Sequence, residues 1–147
     1  VTRTFSKIHG MAGMRLGYML ALPQRISQIN KITRGGMGIS GPTIHAAMAS
    51  LDDTDFLKSC KMKIAANRDF TIKNLISRGF EPLPTSTNFL IFELAHKIDP
   101  NKFLSEIYSK KVTVKVFNFW EKNWCRVSIG TRESMEIFFE AFDEILA

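Results

Sequence analysis

Residues 1–18 read VTRTFSKIHGMAGMRLGY and stand immediately before an apolar run. The stretch combines two hydroxyl residues, Thr4 and Ser6, with Lys7 and Arg15. Thr4 and Ser6 are two positions apart, so in an extended segment their hydroxyls point to the same side. The glycines that recur through the stretch let the backbone turn tightly and approach a ligand closely. These features together predict a ligand-binding segment.

The side chains of this segment suit a phosphorylated aldehyde. A lysine amine captures a carbonyl covalently, provided that the lysine is held in one place and partly desolvated. A phosphate beside the lysine needs several convergent donors, which hydroxyls and a guanidinium supply. A serine-lysine pair alone would indicate a solvated surface lysine. Here Lys7, Arg15 and the glycine pattern occur together, which favours a cofactor site.

Residues 4–18 follow the pattern T-F-S-K-x-x-G-x-x-G-x-R-x-G-Y. This pattern resembles the cofactor-lysine segment of fold-type-I pyridoxal-phosphate enzymes, and within them the histidinol-phosphate aminotransferase group. The resemblance implies an α/β, aspartate aminotransferase-like fold with pyridoxal 5'-phosphate as cofactor. It also implies that Lys7 binds the aldehyde and moves a proton between the substrate α-carbon and the cofactor. Arg15, with Thr4 and Ser6, would hold the cofactor phosphate.

The whole chain has an ordinary globular composition: 147 residues, 45% hydrophobic and 23% charged. No run approaches the roughly 20 apolar residues of a membrane span. The N-terminal residues lack the charged-then-apolar pattern of a secretion signal, so none is expected. The net charge of +6 is spread along the chain, which favours a solvated basic surface over nucleic-acid binding. Because Val1 is not methionine and the motif starts at once, we expect the chain to be part of a longer protein.

The two cysteines, Cys60 and Cys125, lie far apart with no Cys-x-x-Cys pair and no matching histidine spacing. This favours reduced buried thiols in a cytoplasmic protein over a disulfide or a metal site.

The apolar run 15–22 predicts a strand buried on both faces. Pro23 then begins a helix that continues to about Thr33 and is ended by Gly35-Gly36. The glycine-rich segment 35–41 lacks the Gly-Lys-Ser/Thr ending of a nucleotide loop, so it is interpreted as a helix-to-helix connection. A second helix over 43–51 carries small apolar residues, which indicates close packing against its neighbours.

Asp52-Asp53-Thr54-Asp55 is a helix-start signature. It predicts a long helix that ends at about Ser77, before Gly79. The apolar positions expected on one face of this helix are Leu57, Cys60, Ile64, Ile72, Leu75 and Ile76. In the resembling family a long helix here leads from the large cofactor domain into a small C-terminal domain. The resemblance therefore places the end of the large domain at 1–52 and the small domain at 53–147.

The remaining chain alternates strands and helices: strands at 89–94, 112–117 and 125–129, and helices at 100–109 and from Gly130 to the end. The proline-rich segment 80–84 is excluded as a central strand. Val112, Val114 and Val116 share one strand face, and Cys125, Val127 and Ile129 share another. If these two strands pair, Lys115 and Arg126 project from the same polar face and could bind an anion together.

Residues 125–133, CRVSIGTRE, resemble the C-terminal signature of the same family. The resemblance implies that Arg126 binds a substrate carboxylate or, in histidinol-phosphate aminotransferases, the substrate phosphate; its planar fork suits both. It also implies a substrate-binding role for Asn88, which precedes a short apolar strand as in the family. Lys115 stands where the family usually has a second arginine, so the charge is kept and the fork is lost. Arg132 is interpreted as structural.

The predicted function is that of a pyridoxal-phosphate-dependent aminotransferase in amino-acid biosynthesis. It would move an amino group between an amino acid or amino phosphate and a 2-oxo acid, in a homodimer, and the chain alone would be inactive. Two alternatives stay open. One is a related pyridoxal-phosphate decarboxylase, because segment 34–41 and Lys115 depart from the family pattern. The other is a non-enzymatic module that binds anions at the Ser-Lys loop and the Lys115/Arg126 face. No metal, nucleic-acid or membrane partner is expected.

Overall fold

The computed structural model describes residues 1–33, 38–94 and 98–146. The chain forms two compact units, Val1–Lys61 and Met62–Ala147, whose boundary falls inside one long helix. The predicted helix end at Gly35-Gly36 lies outside the described residues, as does most of the glycine-rich connection. The domain boundary near residue 52 stays a prediction from the family resemblance. Within the described ranges, none of the helices is both long and apolar enough to cross a membrane.

The first unit contains one pair of short strands and its helices. These are β1 (Thr2–Thr4), a 3-10 turn (Ala12–Met14), β2 (Gly17–Met19), α1 (Pro23–Asn30), α2 (Gly41–Asp52) and the start of α3 (Thr54–Ser77). β1 and β2 are antiparallel, with Thr2 opposite Met19 and Thr4 opposite Gly17. The predicted starts of α1 and of the long helix α3 are confirmed.

The prediction of a strand buried on both faces is wrong for the apolar run 15–22. Only Gly17–Met19 forms a strand. Tyr18 is 40% exposed and Leu22 is 70% exposed. Among the described residues β2 has one hydrogen-bonded neighbour, β1, and a neighbouring strand covers an edge rather than a face.

Burial in the first unit is sparse. Among its described residues the buried side chains are Phe5, Thr43 and Ala47. The Ser40 hydroxyl caps α2 by accepting the backbone N–H of Thr43 at 3.3 Å, which starts the helix at Gly41. The close packing expected of α2 is limited to Thr43 and Ala47, and Met48 is 59% exposed.

The second unit is a three-stranded sheet with helices. It contains the rest of α3, then β3 (Phe89–Glu93), α4 (Pro100–Ser109), β4 (Lys115–Phe119), β5 (Lys122–Ser128) and α5 (Arg132–Leu146). β5 is central, and both β3 and β4 pair with it in antiparallel fashion. β4 begins at Lys115 rather than at the predicted Val112. The Val112 N–H instead donates to the Ile107 carbonyl and closes the end of α4.

The hydrophobic core lies on one face of this sheet, against α3, α4 and α5. Phe142 of α5 is fully buried, and the rings of four other phenylalanines surround it at centroid distances of 5.1–5.9 Å: Phe80, Phe92, Phe103 and Phe138. The predicted inward residues Cys125, Val127 and Ile129 are buried, and the three valines of 112–116 pack against the same cluster. The buried residues of α5, which include Phe138 and Phe142, lie at helical spacing. The sequence prediction of an amphipathic last helix is therefore confirmed.

Three predicted core positions of α3 differ from the structure, and one of them, Leu57, is half-buried and lies outside the core cluster. Ile76 is 59% exposed, because its neighbour Leu75 occupies the core position and successive helical residues point about 100° apart. Cys60 is half-buried rather than buried, whereas Cys125 is buried as expected.

Candidate active site

The loop that carries Lys7 is closed by the β1–β2 pair. Beyond the last strand residues, the Phe5 N–H donates to the Leu16 carbonyl at 3.1 Å, and the Met11 N–H donates to the Phe5 carbonyl at 3.0 Å. The Phe5 side chain is 3% exposed, and its ring centroid lies 4.7 Å from that of His9. Phe5 therefore anchors the loop on both sides of Lys7.

Gly17 permits the close approach of the two strands at the base of this loop. A Cβ atom at Gly17 would lie 2.7 Å from the Arg3 carbonyl oxygen, which is shorter than any normal contact. Glycine is thus required here for a steric reason that the sequence pattern alone does not reveal.

Thr4 and Ser6 do not share a side by strand alternation, because β1 ends at Thr4. The Ser6 backbone N–H donates to the Thr4 hydroxyl oxygen at 3.0 Å, so the chain turns directly after the strand. The two hydroxyl residues remain adjacent, at the point where the loop leaves β1. The extended segment assumed for Thr4 and Ser6 therefore ends at Thr4, and a side-chain turn follows it.

Lys7 is exposed, and its amine has no hydrogen bond or ion pair to any residue that the structure describes. Its backbone carbonyl accepts the Gly10 N–H at 2.9 Å, and Gly10 has a φ of +67°. The amine is therefore unblocked. The partial desolvation expected of a reactive lysine does not come from the described neighbours.

Arg15 lies on the returning arm of the same loop. Its backbone is left-handed, with a φ of 51°, and its Nη1 donates to the Ala12 carbonyl at 2.8 Å. That bond uses one N–H and ties the guanidinium to the loop. The backbones of Phe5 and Leu16 are hydrogen-bonded to each other. The next residue towards the tip of the loop is Ser6 on one arm and Arg15 on the other.

The donor set of this loop fits a phosphorylated aldehyde. It presents a primary amine with no carboxylate partner among the described residues, two hydroxyls and a guanidinium with free N–H groups. An anionic ligand needs this concentration of donors, and the amine supplies the nucleophile for a carbonyl.

The second cluster lies in the second unit, on the face of the sheet opposite the core. Lys115 of β4 is directly across the ladder from Arg126 of β5, so both side chains leave the same face. The predicted pairing of these two strands is confirmed. Asn88 is exposed just before β3, and its backbone carbonyl accepts the Ile129 N–H at 2.9 Å.

The charges on this face are distributed unevenly. Glu93 is paired with Lys122, with Nζ and Oε2 2.6 Å apart. In the described parts of the chain, neither Arg126 nor Lys115 forms an ion pair. Two adjacent cations therefore lack a carboxylate, and such a pair attracts an anion.

A residue that sequence reasoning missed lies beside Arg126. The Arg126 guanidinium carbon lies 4.2 Å from the centroid of the Phe89 ring, within cation–π range. Strand alternation offered a signal, since Phe89 and Ile91 share a face and Ile91 pairs with Arg126. The register needed to use that signal is fixed only by the structure.

Two other residues have structural roles. The Arg132 guanidinium lies 3.6 Å from the Phe70 ring centroid, which agrees with the interpretation of Arg132 as structural. Burial raises the pKa of the Cys125 thiol to about 12, so the thiol stays protonated and unreactive at neutral pH. Among the described residues, no group of three His, Cys, Asp or Glu residues is arranged to hold a metal ion.

Comparison with known proteins identifies the class to which this arrangement belongs. Residues 1–142 match the profile of the family Aminotransferase class I and II, and the chain belongs to that family. Its fold is that of the fold-type-I aminotransferases. A crystal structure of histidinol-phosphate aminotransferase from Sinorhizobium meliloti, in complex with pyridoxal-5'-phosphate, superposes with a TM-score of 0.83 at 28% identity. That match covers 99% of this chain and 40% of the other.

More particular similarity comes from curated sequences. A histidinol-phosphate aminotransferase from Geobacter sp. (strain M21) is 36% identical over 146 residues, covering 99% of this chain and 41% of the relative. Another, from Clostridium botulinum (strain 657 / Type Ba4), is 32% identical over 149 residues and covers 99% and 42%. The chain thus spans about two-fifths of the length of these relatives.

Proposed function

We propose that the full-length protein is a pyridoxal-phosphate-dependent aminotransferase with Lys7 as its cofactor lysine. The observation that carries the proposal is the unblocked Lys7 amine on a loop that also presents Thr4, Ser6 and Arg15. Membership of the aminotransferase family and the similarity to histidinol-phosphate aminotransferases support it. The substrates would be an amino acid or amino phosphate, with histidinol phosphate the first to try, and a 2-oxo acid.

Lys7 has two tasks in this proposal. Its Nζ binds the cofactor aldehyde, while the hydroxyls of Thr4 and Ser6 and the free N–H groups of Arg15 hold the cofactor phosphate. When bound, pyridoxal 5'-phosphate supplies an electron sink for the substrate α-carbon. The Nζ of Lys7 would also accept the α-proton of the substrate and donate it back during amino transfer.

Arg126 and Lys115 would bind the acid group of the substrate. Arg126 offers two parallel N–H groups to a carboxylate or phosphate, and Lys115 adds a point charge across the ladder. Asn88, at the start of β3, would contribute to the same substrate site. As the resemblance implies, we also propose a homodimer and a cytoplasmic location for the full-length protein.

The test uses the full-length protein incubated with pyridoxal 5'-phosphate. We expect a visible absorbance band, and after borohydride reduction we expect mass spectrometry to locate the cofactor on Lys7. Lys7→Ala removes both signals, whereas Lys31→Ala, an exposed lysine on the same unit, leaves them unchanged. Label scattered over surface lysines, or no band, would refute the aminotransferase and favour the anion-binding module.

A second assay separates transamination from decarboxylation. The loaded enzyme is supplied with histidinol phosphate or an amino acid, with and without a 2-oxo acid. Amino transfer that requires the 2-oxo acid supports the proposal. Release of carbon dioxide from an amino acid without the 2-oxo acid would assign the protein to the decarboxylases instead.

A further inference from the structure

We propose that Phe89 is the positioning residue of Arg126, holding the guanidinium face-on so that its N–H edge is free for the acid group of the substrate. The proposal rests on the proposed function, because it takes Arg126 as the residue that binds that group. It adds a residue to which neither the family pattern nor the sequence assigned a role.

The contact follows from the sheet register. Ser128 pairs with Phe89 and Arg126 pairs with Ile91, so Phe89 is the diagonal neighbour of Arg126 on one face of the β3–β5 ladder. Aromatic and long side chains at such diagonal positions are within reach of each other. The 4.2 Å separation between the guanidinium carbon and the ring centroid realises this contact. Both residues are half-buried, which limits the number of side-chain conformations they can adopt.

A ring is well suited to hold an arginine that must bind something else. Its negative face attracts the guanidinium cation without accepting a conventional hydrogen bond from it. The N–H groups lie in the guanidinium plane, so this attraction uses none of them. A carboxylate in the same place would occupy the fork in a two-point ion pair. No residue in the described ranges forms an ion pair with Arg126, so its fork stays available.

Arg126 shares this face of the sheet with other charged residues, which affect how it can bind an acid group. Lys115 faces Arg126 across the β4–β5 ladder, while the Glu93 carboxylate on the same face pairs with Lys122. The lysine has a flexible stem and three rotatable donors, whereas the arginine presents a rigid planar fork. Phe89 therefore fixes the position of the Arg126 fork that binds the acid group, and Lys115 contributes a second positive charge.

The test measures the affinity of the full-length holoenzyme for inorganic phosphate, by calorimetric titration, and the KM and kcat for histidinol phosphate. In Phe89→Leu we expect the phosphate dissociation constant and the KM to rise about three- to tenfold, as loss of a partly exposed cation–π contact implies. kcat and the cofactor absorbance change little. Phe89→Tyr keeps the ring face and restores the wild-type values.

A matched control removes the same kind of contact elsewhere in the unit. The Arg132 guanidinium carbon lies over the Phe70 ring, so Phe70→Leu deletes a cation–π pair that lies outside the proposed site. We expect a lower melting temperature with unchanged phosphate affinity. An equal loss of phosphate affinity in Phe70→Leu and Phe89→Leu would overturn the proposal, because it would show a general packing effect.

A shape-preserving change covers the case in which Phe89→Leu does not fold. A trifluorinated phenylalanine at position 89 keeps the ring but removes most of the negative potential of its face. We expect phosphate affinity to fall in this variant too. Unchanged affinity in the fluorinated protein would overturn the positioning role.

Arg126→Ala separates failure of the inference from failure of the proposed function. If Arg126→Ala abolishes phosphate binding while Phe89→Leu has no effect, the inference alone is wrong. If wild-type protein binds no phosphate, or Arg126→Ala binds it normally, the anion role of Arg126 and the inference fall together. A cofactor label away from Lys7 refutes the aminotransferase, and the titration still decides the role of Phe89.

Discussion

Arg78, just after α3, forms a two-point ion pair with Asp143 of α5. Its Nε lies 2.5 Å from Oδ1, and its Nη2 lies 2.6 Å from Oδ2. The Arg78 guanidinium also lies 4.6 Å from the Phe139 ring centroid, so this arginine is stacked and its fork is occupied. The hydrogen bond from Arg78 lowers the pKa of the Asp143 carboxyl, outweighing the effect of its partial burial.

Asp143→Asn tests this pair as a pH-dependent tie between α3 and α5. Because the pKa of Asp143 is lower in the folded protein, the pair stabilises the fold above the ordinary carboxyl pKa. That contribution is lost as pH falls through the folded value. The Asp143 side chain is 51% exposed, so solvent screening limits the loss at pH 7 to about 1 kcal/mol or less.

Urea unfolding of wild type and Asp143→Asn, repeated from neutral to acid pH, measures the difference. The two proteins should converge in unfolding free energy as the carboxyl protonates. Glu140→Gln on the same helix, an exposed carboxylate, serves as control. A difference that grows on acidification would contradict the assigned role of the pair.

The two thiols should differ sharply in reactivity. Cys125 is fully buried with a pKa of about 12, while Cys60 is half-buried. In native protein at mildly alkaline pH a thiol reagent should therefore modify Cys60 first, and Cys125 only after unfolding. A Cys60→Ser variant with no fast-reacting thiol would support this order. Fast modification of Cys125 in that variant would contradict the burial of β5.

Gly17→Ala should disturb the loop that carries Lys7, because its Cβ would meet the Arg3 carbonyl oxygen at 2.7 Å. Forcing the strands apart at this point costs about 1–3 kcal/mol, comparable with overpacking a core. We expect at least a severalfold weaker affinity for pyridoxal 5'-phosphate, measured by absorbance titration of the full-length protein. Gly13→Ala is the matched control, since no atom lies within 4 Å of its added Cβ. Equal losses in both variants would argue against the steric reason.

Lys115→Arg should shift substrate preference towards phosphate-bearing amino donors. The change restores a second planar fork across the ladder from Arg126. We expect the ratio of kcat/KM for histidinol phosphate to that for an amino acid to rise about three- to tenfold. Lys111→Arg, at an exposed position after α4, should leave the ratio unchanged. An unchanged ratio in Lys115→Arg would show that this position does not contact the acid group.

The second unit could be predicted well from sequence because its core imposes clear periodicities. Pro100 and Ser109 bound α4 in both prediction and structure, and the buried stripe of α5 follows helical spacing. Strand alternation, with the assumption that the two strands pair, correctly placed Lys115 and Arg126 on the same face of the sheet. These features depend on local pattern, and local pattern is what a single sequence records.

The first unit was predicted less well. An apolar run indicates that its side chains tend to be buried, but it does not show which residues pack against them. The run ending at Leu22 is largely exposed within the described chain. The turn after Thr4 depends on one side-chain hydrogen bond that competes with strand geometry. Likewise, the approach of Phe89 to Arg126 depends on register between distant segments, which composition and spacing do not fix.

The strand order β3–β5–β4 has a consequence for which of the two cations, Arg126 or Lys115, can be substituted more easily. Arg126 lies on the central strand, where a slip of one residue would turn the guanidinium into the core and bring Cys125 or Val127 out. Mutational drift at Arg126 is therefore constrained by folding as well as by chemistry. Lys115 lies on β4, which among the described residues pairs with β5 alone, and its exposed side chain can vary without repacking. If Arg126 and Lys115 bind the substrate as proposed, substrate range should change most readily through Lys115, while Arg126 stays fixed.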